Sequence, residues 1–221
     1  MARFPSTRWS LIRQSGVATS GRAAYGELVR IYHPAILAFF RARLPADAAE
    51  DAAQSFLAVS YEHAWWSRAD EQQGSFRGFL LVLMRRHLVH LLEARDPAPD
   101  GSVDPEMLSN GAPDAERQFD LRFVLTLTAR AIELQRESYA QRDRQDLFAR
   151  LLPLLSSPPA HGEIKTIATA LGLPANTLTV ELTRLRARLR KEMRGLVEDL
   201  CADETTFAAE WTAVQNTLDG N

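Results

Sequence analysis

Apolar residues recur along most of this 221-residue chain at intervals of three and four, the spacing that lines one face of an α-helix. Ile164, Ile167, Ala168 and Leu171 make one such face, and Leu178, Leu182, Leu185 and Leu189 make the next. Leu171-Gly172-Leu173-Pro174 interrupts the period between them. Gly172 suits the positive φ of a helix C-terminus, while Pro174 cannot continue the first helix but fits the first turn of the second. Phe76, Phe79, Leu80, Leu83, Leu88 and Leu91 predict a helix from Phe76 to Arg95, and Phe207, Trp211, Val214 and Leu218 a short amphipathic C-terminal one. The pattern also predicts a helix from Ala23 to Arg43, bent or broken at Pro34, and one capped by Asp47 that runs to about Trp66. Two more cover Phe119 to Tyr139 and Arg142 to Leu155. Alternating β-branched runs are missing, so the expected fold class is all-α.

The segment from Asp96 to Ala115, DPAPDGSVDPEMLSNGAPDA, has four prolines, two glycines and no period, and reads as a flexible linker. The expected organisation is a helical domain over residues 1–95, a linker over 96–118, a second helical domain over 119–195 and an acidic helical extension over 196–221.

Charge follows the same divisions. The net value of −2 hides two basic domains, with 12 basic against 8 acidic side chains in residues 1–95 and 13 against 7 in 121–195. Residues 96–120 hold 7 acidic side chains and 1 basic, and 196–221 hold 6 acidic and none basic. Local potential, not the total, governs attraction to phosphate. A single cysteine, Cys201, excludes an internal disulfide and fits a reducing compartment. No apolar run reaches membrane-spanning length and no signal-peptide pattern is seen, so the expectation is a cytoplasmic protein with no membrane partner.

The pair of stripes around Gly172 has the form of a helix-turn-helix, whose second helix lies in the DNA major groove. Asn176, Thr177, Thr179, Val180 and Glu181 sit near the N-terminus of that helix and are the candidates for reading base edges. Arg184, Arg186 and Arg188 follow and suit backbone phosphates, with Arg190, Lys191 and Arg194 beyond them. In the first domain, Arg77, Arg85, Arg86 and His87 make the Phe76–Arg95 helix basic, and Tyr61, Trp65 and Trp66 offer rings on which an unstacked base can sit. Core packing is the competing role for the tryptophans, favoured for Trp65.

Other chemistry finds little support. His87 and His90 have chelating spacing but no Cys or carboxylate completes a ligand set, so no metal is expected. Glu50 and Asp51 are adjacent on a helix and point to different faces. No phosphate-binding glycine loop, nucleophile elbow or zinc motif is present, and no cofactor or enzyme activity is expected.

Three stretches together resemble the extracytoplasmic-function sigma factors of bacterial RNA polymerase. Ala49-Glu50-Asp51-Ala52-Ala53-Gln54-Ser55-Phe56-Leu57 is similar to that family's AED-x-x-Q segment. Phe76-Arg77-Gly78-Phe79-Leu80 is similar to its FRGWL, and Leu171-Gly172-Leu173 with Arg184-x-Arg186-x-Arg188-Leu189-Arg190 to the end of its region 4. The opening Phe4-Pro5-Ser6-Thr7-Arg8-Trp9-Ser10-Leu11, the Arg68-Ala69-Asp70 stretch and the extra C-terminal helix resemble a subgroup associated with Ser/Thr protein kinases. The resemblance implies a non-enzymatic partner of core RNA polymerase and of promoter DNA. Region 2 would engage the β′ coiled coil through Asp47, Glu50, Asp51, Gln54 and Ser55, and capture the −10 strand through Tyr61, Trp66, Arg77, Arg85, Arg86 and His87, with the loop Ser67–Ser75 as a base pocket. Region 4 would read the −35 duplex and touch the β flap. The linker acids Asp100, Asp104, Glu106 and Asp114 would occupy a nucleic-acid channel as a displaceable mimic.

The family has an acid where this chain has Ser55. Phosphorylation there would add about −1.5 to −2 charges and three acceptor oxygens. Ser55 is thus the candidate phosphate acceptor of a Ser/Thr protein kinase, with Ser60 and Ser67 as weaker ones. Two other functions share the helix-turn-helix: a stand-alone transcriptional regulator and a helical interaction adaptor. Neither needs the second basic surface on Phe76–Arg95.

Overall fold

The computed structural model describes residues 9–16, 21–70, 74–95, 112–157, 159–201 and 203–219. Among them every regular element is helical and none is a strand, so the chain is all-α. The nine helices among the described residues are α1 (Trp9–Gln14), α2 (Gly21–Arg41), α3 (Ala46–Glu62), α4 (Phe76–Arg95), α5 (Ala112–Ala140), α6 (Gln145–Leu151), α7 (Glu163–Ala170), α8 (Ala175–Glu198) and α9 (Glu204–Leu218). The expectations for residues 4–8, for Asp100, Asp104 and Glu106, and for residues 71–73 of the pocket loop fall outside the described residues.

The chain divides into two compact units: Met1–Thr126 with Val197–Asn221, and Leu127–Leu196. These limits differ from the expected ones in two places. The start of α5 belongs with the first unit, and so does the C-terminal helix. Residues 112–118, expected in the linker, are helical. Pro113 and Asp114 sit in the first turn of α5, where a proline costs no hydrogen bond and a carboxylate faces the positive helix end.

In the first unit, Leu28, Tyr32, Ile36, Phe39 and Phe40 of α2, Ala49, Ala52, Ala53 and Phe56 of α3 and Phe76, Leu80 and Met84 of α4 are all buried, with ring centres of Phe40 and Phe56 at 6.1 Å and of Tyr32 and Phe76 at 5.2 Å. Pro34 does not break α2, which runs on through it. Its neighbours Tyr32, Ala35 and Ile36 are buried, and that packing holds the turn a proline ring disfavours. Helix α3 starts earlier and ends earlier than expected. Pro45 precedes it, Asp47 lies in its first turn, and it stops at Glu62. Ala64 then takes a left-handed φ of 49° and Trp66–Arg68 form a 3-10 turn.

The second unit buries Tyr139, Leu147, Phe148, Leu151, Leu154, Ala168, Leu178, Leu182 and Leu185 in one core. The helix expected from Arg142 begins at Gln145, because Asp143 takes a φ of 53° and makes a turn. It tightens into 3-10 form over Leu152–Leu155.

Candidate nucleic-acid interface

The second unit holds the helix-turn-helix. Helix α7 closes with a Schellman arrangement. The Leu173 amide donates to the Ala168 carbonyl at 2.8 Å, the Gly172 amide donates to the Thr169 carbonyl at 3.1 Å, and Gly172 has a φ of 65°. Pro174 then opens α8, its carbonyl accepting the Thr177 amide at 2.9 Å. Leu178, Leu182 and Leu185 turn inward on α8. At 100° per residue this leaves Asn176, Thr177, Thr179, Val180 and Thr183 exposed on the other side. Val180 keeps 38% exposure, unusual for a branched apolar side chain with no core to join. Thr179 and Thr183 donate their hydroxyls back to the carbonyls of Ala175 and Thr179, at 3.2 and 3.0 Å.

Glu181 corrects the sequence expectation. It is 4% exposed and accepts from the Tyr139 hydroxyl at 3.3 Å. Arg184 and Arg144 pair with it at 3.3 and 3.7 Å. Burial and the neighbouring Glu181 carboxylate push the Tyr139 phenol up, so it stays a donor. Glu181 therefore braces α8 from inside and does not face outward. Two of the expected phosphate arginines are likewise held by their own unit. Arg186 donates to the Leu154 carbonyl at 2.8 Å, and Arg188 donates to the Tyr139 hydroxyl at 3.2 Å with its guanidinium 5.7 Å from that ring centre. Arg184 remains exposed over most of its side chain despite its pairing. Arg144, whose guanidinium lies 5.9 Å from the Tyr139 ring centre, is a member of this cluster that helical periodicity did not suggest.

In the first unit the tryptophan roles are reversed. Trp66 is buried, with ring centres of Tyr25, Phe76 and Tyr32 at 4.6, 5.5 and 6.4 Å. It is a core residue, not an open platform. Trp65 is half-buried and stacks on His63 at 6.1 Å. With Arg68, Phe79, Arg86, His87 and His90 it lines an open groove of about 380 Å³. The groove joins aromatic faces to exposed cations, a combination suited to unstacked bases on a phosphate backbone. Tyr61 is exposed beside Tyr25. Of the groove's members, Phe79 and His90 had no place in the expected −10 set, while Arg68 belongs to the Ser67–Ser75 loop expected as its base pocket. The adjacency of two tryptophans was the available signal, since only one of them can enter the core.

Arg77 and Arg85 are engaged within the unit. Arg77 donates through Nε to Glu210 at 2.8 Å and through Nη1 to Asp120 at 2.5 Å, and Arg85 pairs with Glu116. Burial lowers the Arg77 pKa, but the two carboxylates outweigh it and the net shift is upward. His87 is buried and shares a 2.8 Å hydrogen bond through Nε2 with Ser55 Oγ. Burial, with repulsion from His90, holds its imidazole below the ordinary value, against an opposing effect of the Ala52 carbonyl. Ser55 is therefore not a plain outer-surface serine. It sits one position from buried Phe56 and three from buried Ala52, which turns it toward α4. Asp47, Glu50, Asp51 and Gln54 are exposed on α3, with Glu50 paired to Arg41 at 2.7 Å.

Among the described residues no group of three or more His, Cys, Asp or Glu could hold a metal ion, and no helix is long and apolar enough to cross a membrane. No protein-family model, curated protein or solved structure matches the chain.

Proposed function

We propose that this chain is an alternative sigma factor that binds core RNA polymerase and directs it to promoters. The observation that carries the reading is the outward set on α8: Asn176, Thr177, Thr179 and Val180 exposed at the start of a helix seated on a Schellman turn. A short polar and apolar tip followed by an exposed Arg184 suits base edges first and phosphate second. The Trp65–Arg86 groove supports the same reading, because a duplex-binding regulator has no use for a second, aromatic and cationic surface. In this reading Asp47, Glu50, Asp51 and Gln54 form the polymerase-facing edge of α3.

Ser55 is the proposed phosphate acceptor on that edge. Transfer of the γ-phosphoryl of a nucleoside triphosphate to Ser55 Oγ, breaking the β–γ anhydride and releasing the nucleoside diphosphate and the hydroxyl proton, would replace the Ser55–His87 hydrogen bond by a phosphate near exposed acidic neighbours. It would extend the acidic edge toward a basic partner.

Co-purification with core polymerase followed by run-off transcription is the test. A sigma factor supports both. A stand-alone regulator shifts duplex DNA without polymerase, and an adaptor does neither. Equal polymerase affinity and equal transcription for wild type, Ser55→Ala and Ser55→Glu would remove the phosphorylation switch and leave the rest.

A further inference from the structure

Arg77, Asp120 and Glu210 are brought together from sequence positions 43 and 133 residues apart. The Arg77 side chain is 19% exposed, Asp120 is 29% exposed and Glu210 is 11% exposed. Glu210 belongs to α9, which docks on the first unit by burying Phe207 and Val214 along with it. Asp203 caps α9, accepting the Thr206 amide at 2.7 Å. Beside the ion cluster lies a cavity of only about 10 Å³, bounded by Tyr32, Ser75, Phe123 and Cys201 as well as Arg77 and Glu210. That is room for one water at most, so the carboxylates make direct contact with the guanidinium.

A guanidinium presents a planar fork of donors that fits carboxylate and phosphate equally well. Here Nε and Nη1 are both occupied by carboxylates of the same chain. A phosphodiester can take those donors only if a carboxylate leaves. Glu210 is the one that can leave with its helix, because α9 is a 15-residue helix that buries only Phe207 and Val214 beside it. Asp120 is built into the long helix α5.

We propose that α9 is an autoinhibitory latch: Glu210 occupies Arg77 in the free protein, and single-stranded nucleic acid binds the first unit by displacing Glu210 and undocking α9. The two events exclude each other, so each shifts the equilibrium of the other by the same factor. The proposal rests on the reading of the first unit as a nucleic-acid surface but not on any role for polymerase.

Cys201 supplies the readout. It is the single cysteine, it is buried beside the ion cluster, and its thiol is pushed up to about 12 by burial first and then by Glu210, Asp203 and Glu198. Docked α9 thus keeps it slow toward N-ethylmaleimide, and undocking exposes it and removes Glu210. The experiment measures maleimide alkylation rate and the affinity for a labelled 12-nucleotide single-stranded DNA, both at fixed salt, on full-length protein. Glu210→Gln should raise both by about five-fold or more, the lower range of allosteric coupling. Adding Arg77→Gln to it should abolish the affinity gain. In wild type, saturating oligonucleotide should accelerate alkylation by a similar factor, which tests the latch even if a variant fails to fold. Alkylation that ignores the oligonucleotide overturns the proposal. So does a Glu210→Gln protein with faster alkylation but unchanged affinity, the result expected of an ion pair that only stabilises the fold. Failure of run-off transcription with this coupling intact would instead remove only the sigma-factor reading.

Discussion

Replacing Glu181 tests whether it faces outward on α8 or braces that helix from inside. Glu181→Ala removes the acceptor of the Tyr139 hydroxyl and the partner of two arginines. A hydrogen bond to an ionised acceptor contributes about 1.5–3 kcal/mol, and at 3.3 Å the lower end applies. The pairs to Arg184 and Arg144 contribute about 0–1 kcal/mol each, since those side chains are 62% and 37% exposed and re-solvate when released. Tyr139 keeps Arg188 as a donor, which limits the loss. The expected cost is about 2–3 kcal/mol for Ala, and about 1 kcal/mol for Gln, which keeps an acceptor. With a urea slope of about 1–2 kcal/mol per molar, the Ala variant's midpoint should fall by about 1–3 M. Base preference, measured by selection from a randomised duplex library, should be unchanged in the Gln variant. An unmoved urea midpoint together with an altered preference at one base pair would refute the inward assignment and restore Glu181 to the reading face.

Trp66→Ala should destabilise the first unit by about 3–5 kcal/mol, because a large buried ring leaves a cavity, whereas Trp65→Ala should cost under about 1 kcal/mol; thermal melts of both variants check this. The lowered imidazole of His87 gives a pH dependence of stability. A depressed folded pKa means the unfolded chain binds the proton first, so stability is full above about 6.5, falls as pH drops through the folded pKa and levels off below it. His87→Gln should flatten that slope in urea titrations run from pH 5 to 8. Gly172→Ala should cost about 1–2 kcal/mol from the left-handed backbone alone, as no atom lies within 4 Å of the added Cβ. Hydrogen exchange at the amides of α7 and α8 reports it, and wild-type protection would count against the turn.

The helix-turn-helix was legible because every local signal agrees: a 3.6-residue period on both sides, a glycine where φ must be positive, and a proline where a helix can only begin. The start of α5 was hidden by the same chemistry, since Pro113 reads as a breaker unless the helix is known to begin beside it. The end of α3 had no signal at all. Ala64 adopts a glycine-like backbone with a Cβ attached, and this decides which of Trp65 and Trp66 enters the core. Glu181 was readable from position, three residues after Leu178 and four before Leu185, but its charge suggested the opposite face. The partners of Arg77 were beyond reach, because neither Asp120 nor Glu210 is within a helical turn of it. Ser55 was found by motif, yet its bond to His87 depends on how α3 meets α4.

The back-bonded threonines of α8 bear on the vocabulary the helix can use. With the hydroxyl hydrogens of Thr179 and Thr183 committed to carbonyls one turn earlier, each side chain keeps its methyl as the untethered part, and Val180 adds two more between them. In the proposed DNA-reading role, such a tip would select by fit against carbon more than by donated protons. In the major groove the carbon available is the C5 methyl of thymine. A site rebuilt with uracil, which pairs identically but lacks that methyl, would then be a poorer partner, and methylation of cytosine at the same edge could create a binding step where none existed.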